Sequence, residues 1–157
     1  MLIIILAYTS TWYMVYRQSK RYFDFAEQQY EEENYILALK GQNKIELYPG
    51  DDYFGGYQQV IEGWRFSLFT YKPAFYYKSL ERSKDILQKA STNELEYFIK
   101  YYVEVDTKYI PEAAGCLLRR YQNVGYKEGE IRMNEFLAEA FPLYSKDNDC
   151  HLYRSSR

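Results

Sequence analysis

The sequence predicts an all-α protein, built of stacked antiparallel helix hairpins that follow one apolar N-terminal helix. Apolar residues recur at helical spacing along most of the chain. One such set is Tyr57, Ile61, Trp64, Leu68 and Tyr71. The prolines, at positions 49, 73, 111 and 142, fall where such a pattern begins or breaks. No segment sustains a strict alternation of apolar and polar residues, so we expect essentially no β-sheet.

The first element is a charge-free run from Met1 to Tyr16, which Arg17 ends. An apolar stretch, an aromatic rim and then basic residues is the order in which a membrane anchor meets water. The run gives about 24 Å of helix, against a hydrocarbon core of about 30 Å. We therefore expect a transmembrane anchor over residues 1–17 and a single-pass membrane protein. The expected membrane-interface residues are Trp12, Tyr13, Tyr16, Arg17, Lys20 and Arg21.

Two other interpretations of this run stay open: a cleaved signal peptide, and a helix buried in the core or against a partner. A signal peptide needs basic residues ahead of the apolar run, and no Lys or Arg precedes it. A buried core helix usually has a polar face, and residues 1–7 show none. The side of the membrane on which the remaining chain would lie, periplasmic or cytoplasmic, also stays open.

After the anchor, we expect a helical domain over residues 18–144 and a polar tail over 145–157. Helices are predicted near residues 17–32, 34–47, 53–71, 74–90, 92–107, 110–123 and 126–141, the first continuing from the anchor. Ser91 and Glu94 form a capping-box pattern, and Pro111 suits the first turn of a helix. Gly55 and Gly56 indicate a turn. Connections of about two to five residues make neighbouring helices antiparallel.

The composition argues against one broad class of function. A net charge of −2 gives no general case for nucleic-acid binding, since phosphate neutralisation requires a basic surface. The 20 tyrosines suit shallow helical cores and interaction faces, because the ring packs against apolar neighbours while the hydroxyl remains exposed to solvent. An AT-rich genome would account for them equally well. Cys116 lies in an apolar stretch and is expected in the core, Cys150 lies in the polar tail, and a bridge between them stays open.

Two segments resemble tetratricopeptide repeats, in which two helices pair within about 34 residues. In residues 22–49 the matching residues are Tyr22, Phe25, Ala26, Tyr30, Tyr35, Ala38 and Pro49. In residues 109–142 a looser match comprises Ala113, Tyr121, Tyr126, Gly129, Phe136 and Pro142. Residues 51–107 share the helical rhythm without the motif. The resemblance places Ala26, Ala38 and Gly129 where two helix backbones approach closely.

The resemblance implies a binding role, because such repeats stack into a curved array whose concave face holds peptides or partner helices. Together with the anchor, it implies a membrane-anchored scaffold or adaptor in a multi-protein envelope assembly of the secretion, respiratory or flagellar-motor type. The alternative is an integral structural subunit of a large membrane complex with no independent binding role. The expected partners are other proteins, and the lipid bilayer through residues 1–17.

Little in the sequence points to catalysis. The single histidine, His151, lies beside Cys150 and Asp149, whereas a closed zinc site needs four well-placed ligands. The sequence contains no phosphate-binding loop and no dinucleotide fingerprint. We therefore expect no enzyme, no catalytic residue, no metal and no cofactor. An enzyme that uses Cys150 and His151 is the weaker alternative.

The predicted partner-binding residues come from two aromatic clusters and one arginine pair. The aromatic residues of segments 71–77 and 97–102 are denser than one helix face can bury, and tyrosine is enriched at interface hot spots. The predicted set is Tyr71, Phe75, Tyr76, Tyr77, Tyr97, Tyr101, Arg119 and Arg120. Packing in the core is the alternative for the aromatic residues, and salt bridges are the alternative for the arginines. The acidic run Glu31–Glu33 either faces solvent or docks a basic partner.

Overall fold

The structure, a computed structural model, describes residues 2–42, 50, 52–65 and 71–144. Seven helices lie within these residues: α1 (Leu2–Glu31), α2 (Tyr35–Lys40), α3 (Tyr57–Arg65), α4 (Ala74–Lys89), α5 (Thr92–Tyr102), α6 (Ile110–Val124) and α7 (Lys127–Ala140). The described part of the chain contains no β-strand, only one isolated bridge between Gly41 and Gly55. The predicted all-α class is therefore confirmed.

Most predicted helices are present, and the differences lie at their ends. The run of residues 1–17 and the next predicted helix form one continuous helix of 30 residues, α1, as expected. Helix α3 begins at Tyr57 rather than near residue 53, because residues 52–56 pass alongside the end of α2. Helix α5 ends at Tyr102 rather than near residue 107. Helix α2 ends at Lys40 rather than near residue 47, and Tyr71, where the third helix was expected to end, is not helical. Residues 43–49 and 66–70 lie outside the described residues.

The prediction of a transmembrane anchor over residues 1–17 is wrong, and with it the prediction of a single-pass membrane protein. Among the described helices, none combines the length and the apolar character that a membrane crossing requires. Helix α1 is long enough, but Thr9, Ser10 and Thr11 interrupt its apolar run and charged residues begin at Arg17. The charge-free run is thus too short and too diluted with hydroxyl groups to serve as a span.

The chain divides into two compact units, residues 1–83 and 84–157, with the boundary inside α4. In the first unit, α1, α2 and α3 pack against one another around the fully buried Ala26 and Ala38. Aromatic rings complete this core, since Phe75 lies 5.7 Å from Phe23 and 6.2 Å from Trp64 between ring centroids. These rings arrive from three helices, so burial of aromatic surface joins them.

Glycines allow the chain to close against α2 before α3 begins. The Gln42 N–H donates to the Phe54 carbonyl at 2.9 Å, and the Phe54 N–H donates to the Gln42 Oε1 at 2.9 Å. A Cβ at Gly56 would lie 2.5 Å from the Ala38 carbonyl oxygen, closer than two such atoms can approach. The predicted turn at Gly55 and Gly56 is therefore a place of close backbone packing.

In the second unit, α6 packs against both α5 and α7. The core residues of this unit include Leu95, Phe98, Ile110, Leu117, Met133 and Leu137. Helix α5 starts with the predicted capping box, in which Ser91 and Glu94 satisfy each other's backbone N–H groups. Pro111 lies in the first turn of α6, as predicted. Helix α6 ends at Gly125, whose φ of 73° is left-handed.

Candidate functional site

Glu27 of α1 forms a polar junction in the first unit. Its Oε1 accepts a hydrogen bond from the Tyr57 hydroxyl at 2.5 Å and one from Arg82 Nε at 3.2 Å, and its Oε2 accepts one from Lys78. The Arg82 guanidinium also lies 4.0 Å from the centroid of the Tyr30 ring. Helices α1, α3 and α4 thus meet at a single carboxylate.

The protonation states of this junction follow from its contacts. Burial pushes the pKa of Glu27 upward, but hydrogen bonds from Lys78, Tyr57 and Arg82 outweigh burial and hold that pKa below its ordinary value of 4.5. Burial and the hydrogen bond to Glu27 raise the pKa of Tyr57. Shifted pKa values occur at functional sites and in structural ion-pair networks alike. Both carboxylate oxygens of Glu27 accept hydrogen bonds from side chains of the same chain. This arrangement is typical of a structural ion-pair network.

The second unit contains a junction of the same kind around Glu96 of α5. Glu96 accepts hydrogen bonds from the Tyr121 hydroxyl of α6 and, at 3.4 Å, from Arg132 of α7. Burial, followed by the hydrogen bond to Glu96, raises the pKa of Tyr121 to about 12. Sequence reasoning missed both junctions, because 25 residues or more separate each glutamate from its tyrosine.

The predicted aromatic cluster of residues 71–77 is divided between core and surface. Phe75 and Tyr76 are core residues, so their predicted place on a partner-binding surface is corrected to the interior of the protein. Tyr77 is 57% exposed although Tyr76 beside it is only 8% exposed. Tyr71 is also exposed. A role in partner binding stays a prediction for Tyr71 and Tyr77.

The predicted aromatic cluster of α5 places two tyrosines together on one exposed helix face. Tyr97 and Tyr101, one turn apart, stack with ring centroids 5.7 Å apart and an interplanar angle of 14°. Both rings are exposed, and so is Val105, which lies in the turn after α5 ends at Tyr102. We call Tyr97, Tyr101 and Val105 the tyrosine stripe. Phe98 and Leu95 form the opposite, buried side of the same helix.

The predicted arginine pair lies against the protein. Arg120 donates hydrogen bonds to the carbonyl oxygens of Leu87 at 3.4 Å and Gln88 at 2.8 Å, at the C-terminal end of α4. A cation at this position complements the partial negative charge of a helix C-terminus. Burial lowers the pKa of Arg120. Arg119 is half-buried and also has a partner within the protein.

The predicted membrane-interface residues make several contacts within the first unit. Trp12 lies 5.7 Å from Trp64 in an edge-to-face arrangement, and Tyr16 lies 5.4 Å from Phe75, between ring centroids. Lys20 pairs with Asp24 on α1. The other contacts are an ion pair at 3.0 Å between Arg21 and Asp52, and Arg17 over the Tyr13 ring at 6.0 Å from its centroid. The two most buried rings of the set, Trp12 and Tyr16, thus contribute to the protein's own core.

The described residues offer no cluster from which a metal site can be built. Nowhere in that part of the chain do three or more His, Cys, Asp or Glu side chains come together in a suitable way. Asp149, Cys150 and His151 lie outside the described residues, whereas Cys116 is buried and is not a free thiol. Glu31, Glu32 and Glu33 are exposed, and Glu32 accepts hydrogen bonds from the amides of Gln28 and Gln29.

No protein-family model, no curated protein and no solved structure matches this chain. Its function is therefore inferred from the geometry of the surfaces that the structure describes. Of the predicted partner-binding residues, Tyr97 and Tyr101 are two exposed tyrosines whose rings stack on each other.

Proposed function

We propose that this chain is a protein-interaction module that holds other proteins in an assembly by shape and aromatic packing, without catalysis. The observation that carries the proposal is the tyrosine stripe, in which two stacked rings are presented on one side of α5 and Val105 is exposed in the turn that follows this helix. Large aromatic side chains left exposed together are typical of contact surfaces.

The stacking of the two rings favours binding for an entropic reason. A side chain that is already held by a neighbour loses less rotamer freedom when a partner covers it. Tyr97 and Tyr101 hold each other at 5.7 Å, and Tyr101 is also held by Tyr102, whose ring centroid lies 5.1 Å away. Each ring offers apolar area together with a hydroxyl that forms hydrogen bonds at the rim of a contact.

We further propose that the helices pair in the manner of tetratricopeptide repeats. Three observations support this architecture. Helix α6 packs between α5 and α7, Ala26 and Ala38 are fully buried, and a Cβ at Gly129 would lie 2.5 Å from the Tyr126 ring. Small residues at such positions let neighbouring elements approach closely, which repeat stacking requires.

The test is affinity capture with the tagged full-length chain, followed by mass spectrometry of the proteins that come with it. A Tyr97→Ala/Tyr101→Ala variant is expected to lose the reproducible partners of the wild type. A Val124→Ala/Leu143→Ala variant removes two exposed apolar side chains that are outside the predicted partner-binding set, and it is expected to retain these partners. Far-UV circular dichroism of both variants checks that the helices are intact.

Two results would contradict the proposal. One is capture of the same partners by the Tyr97→Ala/Tyr101→Ala variant. The other is a well-folded wild type that captures nothing in repeated trials. A chain that aggregates whenever it is produced without its neighbours would instead favour a structural subunit with no independent binding role.

A further inference from the structure

Helix α1 has an exposed apolar face that the rest of the first unit leaves uncovered. Ile3 is 80% exposed, Leu6 59% and Met14 68%, and Tyr13 beside Met14 is also exposed. Leu6 follows Ile3 by 3 residues, and Tyr13 and Met14 follow Leu6 by 7 and 8 residues. These spacings place the four side chains on one side of the helix. We call Ile3, Leu6, Tyr13 and Met14 the α1 face. Large apolar side chains exposed on one side of a helix mark a contact site in a folded protein, although here Ser10 separates Leu6 from Tyr13 and Met14.

The charges along the α1 face are positive. Arg17 and Arg21 continue the same side of the helix, and no carboxylate occurs in α1 before Asp24. Arg21 pairs with the exposed Asp52, whereas Arg17 has no acidic partner among the described residues. A partner for this face therefore needs apolar side chains next to carboxylates.

Helix α7 offers a surface with this composition. Ile131 is 56% exposed, and Glu128, Glu135 and Glu139 are exposed on the same side of the helix. None of these three carboxylates forms an ion pair with any residue that the structure describes. We call Glu128, Ile131, Glu135 and Glu139 the α7 face.

The two faces also match in length. The α1 face rises about 17 Å from Ile3 to Met14, and the α7 face rises about 17 Å from Glu128 to Glu139, at 1.5 Å per residue. Ile131 offers an apolar contact for the α1 face, and the three carboxylates around it are complementary in charge to Arg17. Both faces are exposed in the single chain, so a second copy supplies the complement of each.

We propose that the α1 face of one copy of this chain docks on the α7 face of a second copy. The contact is heterologous, because it joins two different surfaces. Each copy in a pair leaves one face unused, and further copies add at the ends. The tyrosine stripe takes no part in this contact, so self-association and the capture of other proteins are separable.

The test measures the mass of the purified chain at rising concentration, by sedimentation velocity and light scattering. The wild type is expected to grow beyond its monomer mass of 19.0 kDa, and more weakly in high salt because the arginines and carboxylates are screened. Leu6→Asp and Ile131→Asp are each expected to weaken the association by about tenfold or more, since each places a charge in the contact.

Mixing the two variants gives the decisive readout. Leu6→Asp keeps an intact α7 face and Ile131→Asp keeps an intact α1 face, so the mixture is expected to form a pair and to grow no further. Val124→Asp is the matched control, because Val124 is an exposed apolar residue outside both faces, and it is expected to assemble like the wild type. Met14→Asp serves as a second α1-face variant, with helix content checked by circular dichroism.

Three outcomes would overturn the proposal. The first is a wild type that stays at 19.0 kDa at every concentration. The second is a mixture of Leu6→Asp and Ile131→Asp that stays monomeric although the wild type associates. The third is a monomeric wild type that binds a different protein or a lipid vesicle through Leu6, which would assign the α1 face to that occupant.

Discussion

At the scale of single residues, the adjacent tyrosines Tyr76 and Tyr77 differ in burial. Tyr76 is buried, receives a hydrogen bond from Lys72 at 3.3 Å, and lies 5.2 Å from Tyr77 between ring centroids. Tyr77 is exposed. The helical repeat explains the difference, because consecutive residues on a helix point about 100° apart. A cluster that is uniform in sequence is therefore part core and part surface.

This difference predicts unequal effects on stability. We expect Tyr76→Ala to lower the free energy of unfolding by about 3 kcal/mol, because a buried ring leaves a cavity. Tyr77→Ala is expected to change it by about 0.5 kcal/mol or less, as is usual for exposed positions. Urea unfolding of the two variants provides the measurement. Equal losses would show that Tyr77 is packed as tightly as Tyr76.

The Glu27 junction predicts an effect of charge at the same scale. We expect Glu27→Gln to lower the free energy of unfolding by about 1–3 kcal/mol, because Lys78 and Arg82 lose their shared carboxylate. The pKa of Glu27 lies below its ordinary value of 4.5, so its contribution is present above that pH and is lost as the pH falls below it.

The measurement is urea unfolding of the wild type and of Glu27→Gln at neutral pH and near pH 3. The difference between the two is expected to shrink at the lower pH. Asp24→Asn is the control, since the pair of Asp24 with Lys20 is exposed and is worth about 1 kcal/mol or less. A wild type and a Glu27→Gln variant of equal stability at neutral pH would exclude the structural role of this junction.

At the scale of the elements, local signals set the helix ends well where a cap or a proline is present. Ser91 and Glu94 start α5 with a capping box, Pro111 starts α6, and Gly125 ends it in a left-handed conformation. The start of α3 has a different cause. It depends on Gly55 and Gly56, whose backbone lies against α2, a contact between residues far apart in the sequence.

Two glycines near α3 therefore respond differently to substitution. We expect Gly56→Ala to destabilise the protein by about 2 kcal/mol, because the added Cβ would lie 2.5 Å from the Ala38 carbonyl oxygen. Gly63→Ala is expected to stabilise it by about 0.5–1 kcal/mol, because Gly63 lies within α3 and its Cβ would meet Ser19 Oγ at an ordinary 3.4 Å. Thermal and urea unfolding measure both. A neutral Gly56→Ala would refute the close approach.

At the scale of the whole molecule, each compact unit contains a carboxylate that joins three helices through a tyrosine and an arginine. The residues are Glu27, Tyr57 and Arg82 in the first unit, and Glu96, Tyr121 and Arg132 in the second. The sequence separations differ between the two sets, so they are not copies of one repeat. A carboxylate that accepts hydrogen bonds from a phenol and a cation therefore occurs twice, partly buried at Glu27 and exposed at Glu96.

These junctions predict that the protein loses stability in alkali. Tyr121 has a pKa of about 12 in the folded chain and an ordinary value of 10.0, so the folded state holds this proton more tightly. The contribution of Tyr121 to the free energy of unfolding is complete below pH 10 and is lost as the pH rises toward about 12. Urea unfolding across this range is expected to show a steeper decline for the wild type than for Tyr121→Phe. Parallel declines would contradict the assignment.

The N-terminal run shows where reasoning from sequence alone was misleading. Its lack of charge, its aromatic rim and the following arginines resembled an anchor, yet Trp12 and Tyr16 pack against Trp64 and Phe75. No local property of residues 1–21 distinguishes an aromatic ring that meets lipid from one that meets a distant helix. The burial of Phe75 and Tyr76 was missed for the same reason, since periodicity does not reveal which member of an aromatic cluster a neighbouring helix covers.

The helical class and the caps of α5 and α6 followed from the sequence, because hydrophobic period and capping act within one or two helical turns. The separation of Tyr76 from Tyr77, the two carboxylate junctions and the exposed pairing of Tyr97 with Tyr101 became visible only in the folded chain. The physical reason is that burial and ion pairing depend on residues brought together from distant parts of the sequence, whose proximity no local pattern encodes.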